Sequence, residues 1–420
     1  MNLRTRDVLV MIRRNRLIAF IGIGLLVLSN AMHSRVNCSA GEIQFLAAGE
    51  LAADAKDLSG LTEELAPGVT QDRLGGFSAL EYSGSGDLYY ALPDRGPADG
   101  AYPYQCRVQQ LELRLDVPAK KVKVSLQKTV PLMNAPSDPY VGAAAAIGQS
   151  GKRGGQRLDP EGFRVGPGGE WLISDEYGPY LIEFSGQGMR RRSLTVPELF
   201  RISSPAASPL EEASRNSSGR QPNRGLEGLA IAPSGKFLVG AMQGPLIQDS
   251  RPEKAPKRSA HFVRLLKQPL NDGMASQFVY RLERPSLGIS EILAISDHEY
   301  LVLERDGEPG LDAKVKQIWK IDIRDASDVS QIAKLPPDQL PPEIRTVTKT
   351  LFLDLLNPKC GLAGPNFPEK VEGLTFGPTL PAGDRLLLVA VDNDFRDDRA
   401  TWIWAFSVPQ TLLPGFGWKY

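Results

Sequence analysis

Five stretches of this 420-residue chain follow one grammar, and that self-similarity limits the fold more than any single motif. They begin at Gly76 (GFSALEYSGSGDLYYALPDRG), Pro160 (PEGFRVGPGGEWLISDEYG), Leu226 (LEGLAIAPSGKFLVGAMQG), Ser290 (SEILAISDHEYLVLERDG) and Val371 (VEGLTFGPTLPAGDRLLLVAVDND). Each holds a short apolar run, a Gly/Ser/Pro/Asp turn, a second run rich in β-formers, and then an acidic or glycine turn. Two apolar runs around a tight polar turn predict a hairpin. Glu161, Glu227, Glu291 and Glu372 set the register, at separations of 66, 64 and 81 residues. Further strand-like runs at 180–184, 278–282 and 317–323 lie between them. A period near 65 residues that holds four strands describes a propeller blade with long loops. Dividing roughly 380 residues by that period predicts an all-β propeller of about six four-stranded blades, with five to seven in range.

Composition agrees with turns and with export. Gly (41) and Pro (33) are abundant but dispersed, as suits many short strands. Lys+Arg and Asp+Glu are equal at 49 each, which argues against nucleic acid as a partner, since phosphate binding needs a clustered basic surplus. The N-terminus carries Arg4, Arg6, Arg13, Arg14 and Arg16, an apolar run over 17–28, and then Ser29-Asn30. Residues 1–40 therefore read as a secretory signal, cut after Ala31 or Ala40. The alternative is an uncleaved anchor, which would be the chain's only membrane contact, although the run is shorter than the roughly 20 residues a span needs. The expected location is periplasmic or secreted. Cys38, Cys106 and Cys360 are the only cysteines, so cleavage after Ala40 leaves two that either pair or stay as thiols. The segments 202–225 and 251–259 are low-complexity loops, and because the repeat resumes after each, 41–420 reads as one propeller domain.

Hairpin geometry places the acids. A residue just before the first strand and one just after the second share a face, which pairs Glu161 with Asp175, Glu291 with Glu304, and Glu372 with Asp392. In the first repeat Ser78 fills the glutamate slot, and in the third Gln243 replaces the distal acid. If the first strand is innermost, Glu161, Glu227, Glu291 and Glu372 surround the channel mouth as candidate catalytic residues. Together with Asp175, Glu304 and Asp392 they form a candidate metal set. Carboxylates gathered so closely call for protonation, water or a cation, and hard oxygen donors favour calcium. His33, His261 and His298 are too few for a zinc cluster. The plain alternative is that each acid accepts backbone N–H groups from a neighbouring blade. Gly162, Gly228 and Gly373, which follow three of the glutamates, are expected where backbones approach closely. Arg95, Arg224 and Arg305 flank the repeats and are candidate binders of an anionic substrate, or else turn-fixing partners of nearby acids.

Asp94-Arg95-Gly96, Asp159-Pro160-Glu161-Gly162, Leu226-Glu227-Gly228-Leu229 and Val371-Glu372-Gly373-Leu374, in this order, resemble the bacterial phytase-like family. That resemblance implies an exported propeller that hydrolyses phosphate or other small esters. The chain departs from the β-propeller phytases in having no Asp-Ala-Asp-Asp-Pro run, which argues against phytate as substrate. It has neither an Arg-His-Gly motif nor a Gly-x-Ser-x-Gly elbow. Ser78 or Ser290 as nucleophile would lack an evident histidine base. The leading expectation is a calcium-assisted ester hydrolase acting on a small anionic or ester substrate. A non-catalytic binding propeller and a lactonase-like calcium enzyme remain as alternatives.

Overall fold

The computed structural model describes residues 41–148, 156–178, 180–271 and 273–417. The predicted signal over 1–40, with Cys38 and both cut sites, lies outside them. Among the described residues no helix is long and apolar enough to cross a membrane.

Twenty strands form five four-stranded blades. Strand β1 (Gln44–Leu51) precedes them in the chain. Blade I is β2 (Phe77–Tyr82), β3 (Leu88–Pro93), β4 (Arg107–Asp116) and β5 (Lys121–Pro131). Blade II is β6 (Pro160–Val165), β7 (Trp171–Asp175), β8 (Tyr180–Phe184) and β9 (Arg190–Leu194). Blade III is β10 (Leu226–Ile231), β11 (Phe237–Met242), β12 (Phe262–Pro269) and β13 (Ser276–Arg281). Blade IV is β14 (Gly288–Ala294), β15 (Glu299–Arg305), β16 (Lys316–Asp322) and β17 (Thr348–Asp354). Blade V is β18 (Val371–Thr379), β19 (Arg385–Val391) and β20 (Thr401–Val408), completed by β1.

That last pairing closes the circle. Strand β1 runs antiparallel to β20 from Gln44↔Ser407 to Leu51↔Thr401, so the first strand is the outer edge of the last blade. The five inner strands β2, β6, β10, β14 and β18 pack in sequence, and β18 returns to β2. Closure of this kind completes the last blade and leaves only short, protected edges. The count is five, the low end of the predicted range. Blades I and IV carry long outer connections, which stretch their spacing beyond the 65-residue period and lower the number that fits.

The apolar core lies between blades, not along the axis. Phe163, Trp171 and Ile182 meet Leu92 and Val108 between blades I and II. Leu229, Leu265 and Ile292 belong to the cluster that joins blades II, III and IV. Leu301, Leu374 and Trp404 fill the IV–V seam, and Leu80, Tyr89, Leu388 and Ile403 the V–I seam. Cys106 and Cys360 are both buried and free, each within a different one of these clusters.

The axis itself is polar. Arg164 of β6 is fully buried at the channel floor. Its guanidinium donates to the carbonyls of Leu80, Ile292 and Leu374, at 3.3, 3.0 and 3.4 Å, and so ties blades I, IV and V to blade II. Glu291 lies 3.0 Å and Glu81 3.5 Å from it. Burying an arginine is costly unless its charge and most of its donors are met, and here both Nη groups find partners across four blades while Nε has none among the described residues.

Candidate functional site

Every inner strand carries a β-bulge near its start. The register shifts between Phe77 and Ala79, Pro160 and Phe163, Leu226 and Gly228, Ile289 and Glu291, and Val371 and Leu374. A bulge breaks the alternation of faces and re-aims a side chain. The residues so turned are Ser78, Glu161, Glu227, Ser290 and Glu372, and all five line a polar cup of about 290 Å³ at the channel mouth. The following glycines let neighbouring blades touch. A Cβ on Gly162 would sit 2.5 Å from Leu229 Cβ, and one on Gly228 or Gly373 would sit 2.6 or 2.7 Å from the next inner strand's backbone nitrogen.

The second strands supply a matching set. The residue one past each bulge-facing partner is Asp94, Glu176, Gln243, Arg305 or Asp392. The first four line the cup, whereas Asp392 stands in its wall beside Lys370.

Three of the expected acids lie elsewhere. Glu291 is one residue beyond the bulge, in the slot that holds glycine in three other blades. It therefore turns down to Arg164 and to the backbone N–H groups of Leu229 and Ile292, at 3.1 and 2.9 Å. Ser290 is the true fourth member of the set. Asp175 and Glu304 each stop one residue short of the mouth, and in a strand that step turns the side chain to the opposite face. Asp175 accepts from the N–H groups of Asp159, Tyr177 and Gly178, at 2.8, 3.3 and 2.7 Å, and shapes a turn. Glu304 accepts from Tyr280 Oη and Lys349 Nζ, both at 2.6 Å, on the blade III side. Asp94, Asp159, Glu176 and Lys370 were not among the expected site residues.

A sequence signal for the correct register exists. Glu161, Glu227 and Glu372 each precede a turn proline (Pro167, Pro233, Pro378) by six residues, and counting six back from Ser296 gives Ser290.

Charge in the cup is unbalanced. Nine carboxylates line it against Arg95, Arg224, Arg305 and Lys370. Arg95 is committed: it pairs with Asp159, lies 3.0 Å from Asp99 and 3.5 Å from Glu176. Arg305 pairs with Glu372, and its Nε donates to Ser290 Oγ at 2.8 Å. Lys370 sits 2.6 Å from Asp394, 3.3 Å from Asp392 and 4.0 Å from Asp94. Burial works against its charge, but these acids outweigh burial and hold its pKa well above the usual lysine value.

Three groups remain uncommitted. Glu161 makes no hydrogen bond or ion pair among the described residues, and its carboxylate faces the cup. Glu227 is 4% exposed, accepts from Gln243 Nε2 at 2.8 Å through one oxygen, and has its other oxygen buried without a partner. Arg224 has no side-chain partner among the described residues, and burial lowers its pKa despite Glu176 and Glu227 nearby. Burial, then Glu227, Asp159 and Glu176, pushes Glu161 well above the carboxylate range. Burial, then Glu176 and Glu372, does the same to Glu227. Glu176 rises to about 7, from burial and then Asp159, against the pull of Arg95. Carboxylates in this state hold protons or share a cation.

The donors fit a hard cation. Asp159, Glu161 and Glu176 each present an oxygen within 4.8 Å of the others, all buried, and Glu227, with its orphan oxygen, shares the cup with Glu161 and Glu176. A second trio, Asp94, Asp392 and Asp394, also lies within 4.8 Å; Lys370 answers all three of its members, whereas Arg95 answers Asp159 and Glu176 of the first and leaves Glu161 without a partner among the described residues.

Known proteins overlap with this chain as follows. A secreted protein of Arthroderma benhamiae, itself uncharacterized, is 28% identical over 283 residues, 53% of this chain and 55% of that protein. The chain thus spans about half the length of that relative. Among solved structures, the tail fiber of Staphylococcus aureus phage P68 overlaps 90% of this chain and 55% of its own, at 10% identity and TM-score 0.39. The PQQ-bound aldose sugar dehydrogenase of Streptomyces coelicolor overlaps 88% of this chain and 98% of its own, at 12% identity and TM-score 0.35. Overlap at that level bears on neither ligand nor activity. The match that does bear on it is to a family model, that of the phytase-like proteins, described by the esterase-like activity of phytase, over residues 72–395. Those residues carry all five bulges and the whole cup, and the chain belongs to the phytase-like family.

Proposed function

We propose that this chain is an exported hydrolase of small esters, phosphate esters foremost, acting in the cup at the channel mouth. One observation carries the reading. Among the described residues Glu161 faces the cup with no partner, Glu227 buries an unpartnered oxygen, and Arg224 offers a guanidinium with none, all in the same 290 Å³. A site built only to hold the propeller together would pair these groups, as the channel floor does.

Arg224, with Arg305 held in place by Ser290 and Glu372, binds the anionic end of the ester. In its ionised form Glu161 is the group placed to take a proton from attacking water, and burial and then Glu227 make that form a stronger base. Gln243 fixes the Glu227 carboxyl, whose second oxygen points away from that bond. Asp159, Glu161, Glu176 and Glu227 are the residues that would hold a divalent cation, calcium being the hard ion suited to them. Bound there, it would polarise the ester oxygen and lower the pKa of water. Export rests on the N-terminal pattern and on the secreted relative.

The test is a panel of phosphate esters, carboxylic esters and lactones, assayed with added calcium and with chelator. Turnover that Glu161→Gln abolishes while the melt holds is the expected result. A calcium-shifted melt without turnover on any member would return the protein to the class of binding propellers. Turnover unaffected by Glu161→Gln would remove the cup from the mechanism.

A further inference from the structure

The cup, at about 290 Å³, is lined by charged and polar side chains and glycines, and offers an apolar group no wall to lie on. The apolar part of an ester held there gains contact only past the rim. Between blades IV and V that rim meets a cleft of about 690 Å³, more than twice the cup's volume. The two cavities share Glu369. The wall between them is a pair of ion pairs: Arg399 Nη1 with Glu369 Oε2 at 3.5 Å, and Lys370 Nζ with Asp392 Oδ2 at 3.3 Å. Lys370 faces the cup, whereas Asp392 and Arg399 face the cleft.

Chemistry changes across that wall. The cleft is walled by Trp402 and Trp404 of β20 and by Leu362 and Phe367 from the β17–β18 connection. Trp404 is locked in the IV–V core, its ring 5.6 Å from that of Phe367 at an interplanar angle of 53°. Trp402, on the same face of β20, is only half-buried. Pro309, Pro365 and Pro368 restrict the facing loops. The aromatic wall is thus pre-formed, and little order has to be imposed when a flat apolar group settles on it. Both partners of the Arg399–Glu369 pair are 37% exposed, so this part of the wall can yield to a ligand that spans it.

We propose that the IV–V cleft is the subsite for the alcohol part of the ester, and that the substrates are phosphate esters of flat, apolar, aryl-type alcohols. This rests on the cup being the place of ester hydrolysis. The phosphate sits with Arg224 and Arg305, and the aryl group crosses the Glu369–Arg399 pair to lie on Trp402. Water adds to phosphorus, the phosphorus–oxygen bond to the alcohol breaks, and the alcohol departs through the cleft with a proton that came from the water.

Calorimetric titration of the mature protein in calcium, with 1-naphthyl phosphate and methyl phosphate as probes, tests it. The naphthyl ester is expected to bind about tenfold tighter or more, as burial of one apolar ring implies. Trp402→Ala should abolish that preference and leave methyl phosphate unchanged. Leu362→Glu, on a surface loop, should do the same if Trp402→Ala folds poorly. Equal affinities in the unaltered protein, or a preference that survives both variants, would overturn the subsite. A preference lost in the variants, with no ester hydrolysed, keeps the subsite and sinks the hydrolase reading. Binding of neither probe would overturn both.

Discussion

The floor and the mouth of the same channel are made from the same five strands, three residues apart, and handle buried charge in opposite ways. At the floor, Arg164 meets Glu81 and Glu291, and its Nη groups also reach carbonyls of the neighbouring blades, leaving Nε alone without a partner among the described residues. At the mouth, nine carboxylates face four cations, three of which are already engaged. Glu227 keeps an orphan buried oxygen there. Glu291 also has one oxygen without a hydrogen bond, but Arg164 stands 3.0 Å from it. A fold that can complete its ion pairs at one end of a channel and leaves them incomplete at the other has kept the second end for something that binds. Floor residues should then govern stability, and mouth residues ligand and rate.

The largest effect belongs to the floor. Arg164→Leu strands two buried carboxylates and removes backbone contacts to three other blades, so about 3–5 kcal/mol of stability should be lost. Equilibrium denaturation in urea reads this directly. A variant as stable as the parent would show that the plug does not hold the blades together.

At the mouth the loss should fall on rate instead. Glu161→Gln keeps shape and removes the proton acceptor, so hydrolysis should drop on the order of 10²–10⁴-fold. Its melting temperature should stay level or rise, because a neutral amide is easier to bury among the other acids than a carboxyl that must either hold a proton or repel them. A drop in stability with unchanged turnover per folded molecule would mean that Glu161 belongs with the floor.

Glu291 is the sharper case, since in sequence it looks like a mouth residue. Four repeats show a glutamate near the start of the first apolar run, and simple alignment puts Glu291 beside Glu227. The propeller, the inner strands and the closeness required at Gly162, Gly228 and Gly373 were all legible from that repeat. What one-dimensional spacing hides is the bulge. A single inserted residue decides which of Ser290 and Glu291 faces the ligand, and which of Glu304 and Arg305 does. Arg164 was illegible for a different reason. It occurs once, where the other blades have Glu81, Ala230, Leu293 or Thr375, so no repeat marks it. Lys370 likewise stands outside the hairpins, in the connection that leads into β18. Glu291→Gln should therefore cost about 1–3 kcal/mol, as a weakened buried charge pair does, and leave kcat and calcium affinity unchanged. Loss of calcium response in this variant would restore it to the mouth.

The smallest effect, and the one that sets the two regions side by side, is the pH dependence of stability. Every acid concerned has its pKa raised on folding, chiefly by burial: Glu81 and Glu291 to about 7 at the floor, Glu176 to about 7 at the mouth, and Glu161, Glu227 and Asp94 well above their usual range. Such a group holds its proton in the folded chain at a pH where the unfolded chain has released it. Stability is then fully present below the unfolded value, 4.5 for the glutamates and 3.8 for Asp94, and falls as pH rises toward the folded value, by at most about 1.4 kcal/mol per pH unit for each group. A cation at the mouth replaces the protons that rising pH removes there and has no access to Glu81 or Glu291. Calcium should accordingly remove the mouth's share of the fall in melting temperature and leave the floor's share in place. Glu291→Gln should make the fall shallower without altering the calcium response, whereas Glu227→Gln should weaken both. Melts at half-unit steps from pH 5 to 9, with and without calcium, read the two shares. A calcium response that Glu227→Gln leaves unchanged, or that Glu291→Gln abolishes, would take the cation out of the cup, and the contrast between floor and mouth would fail.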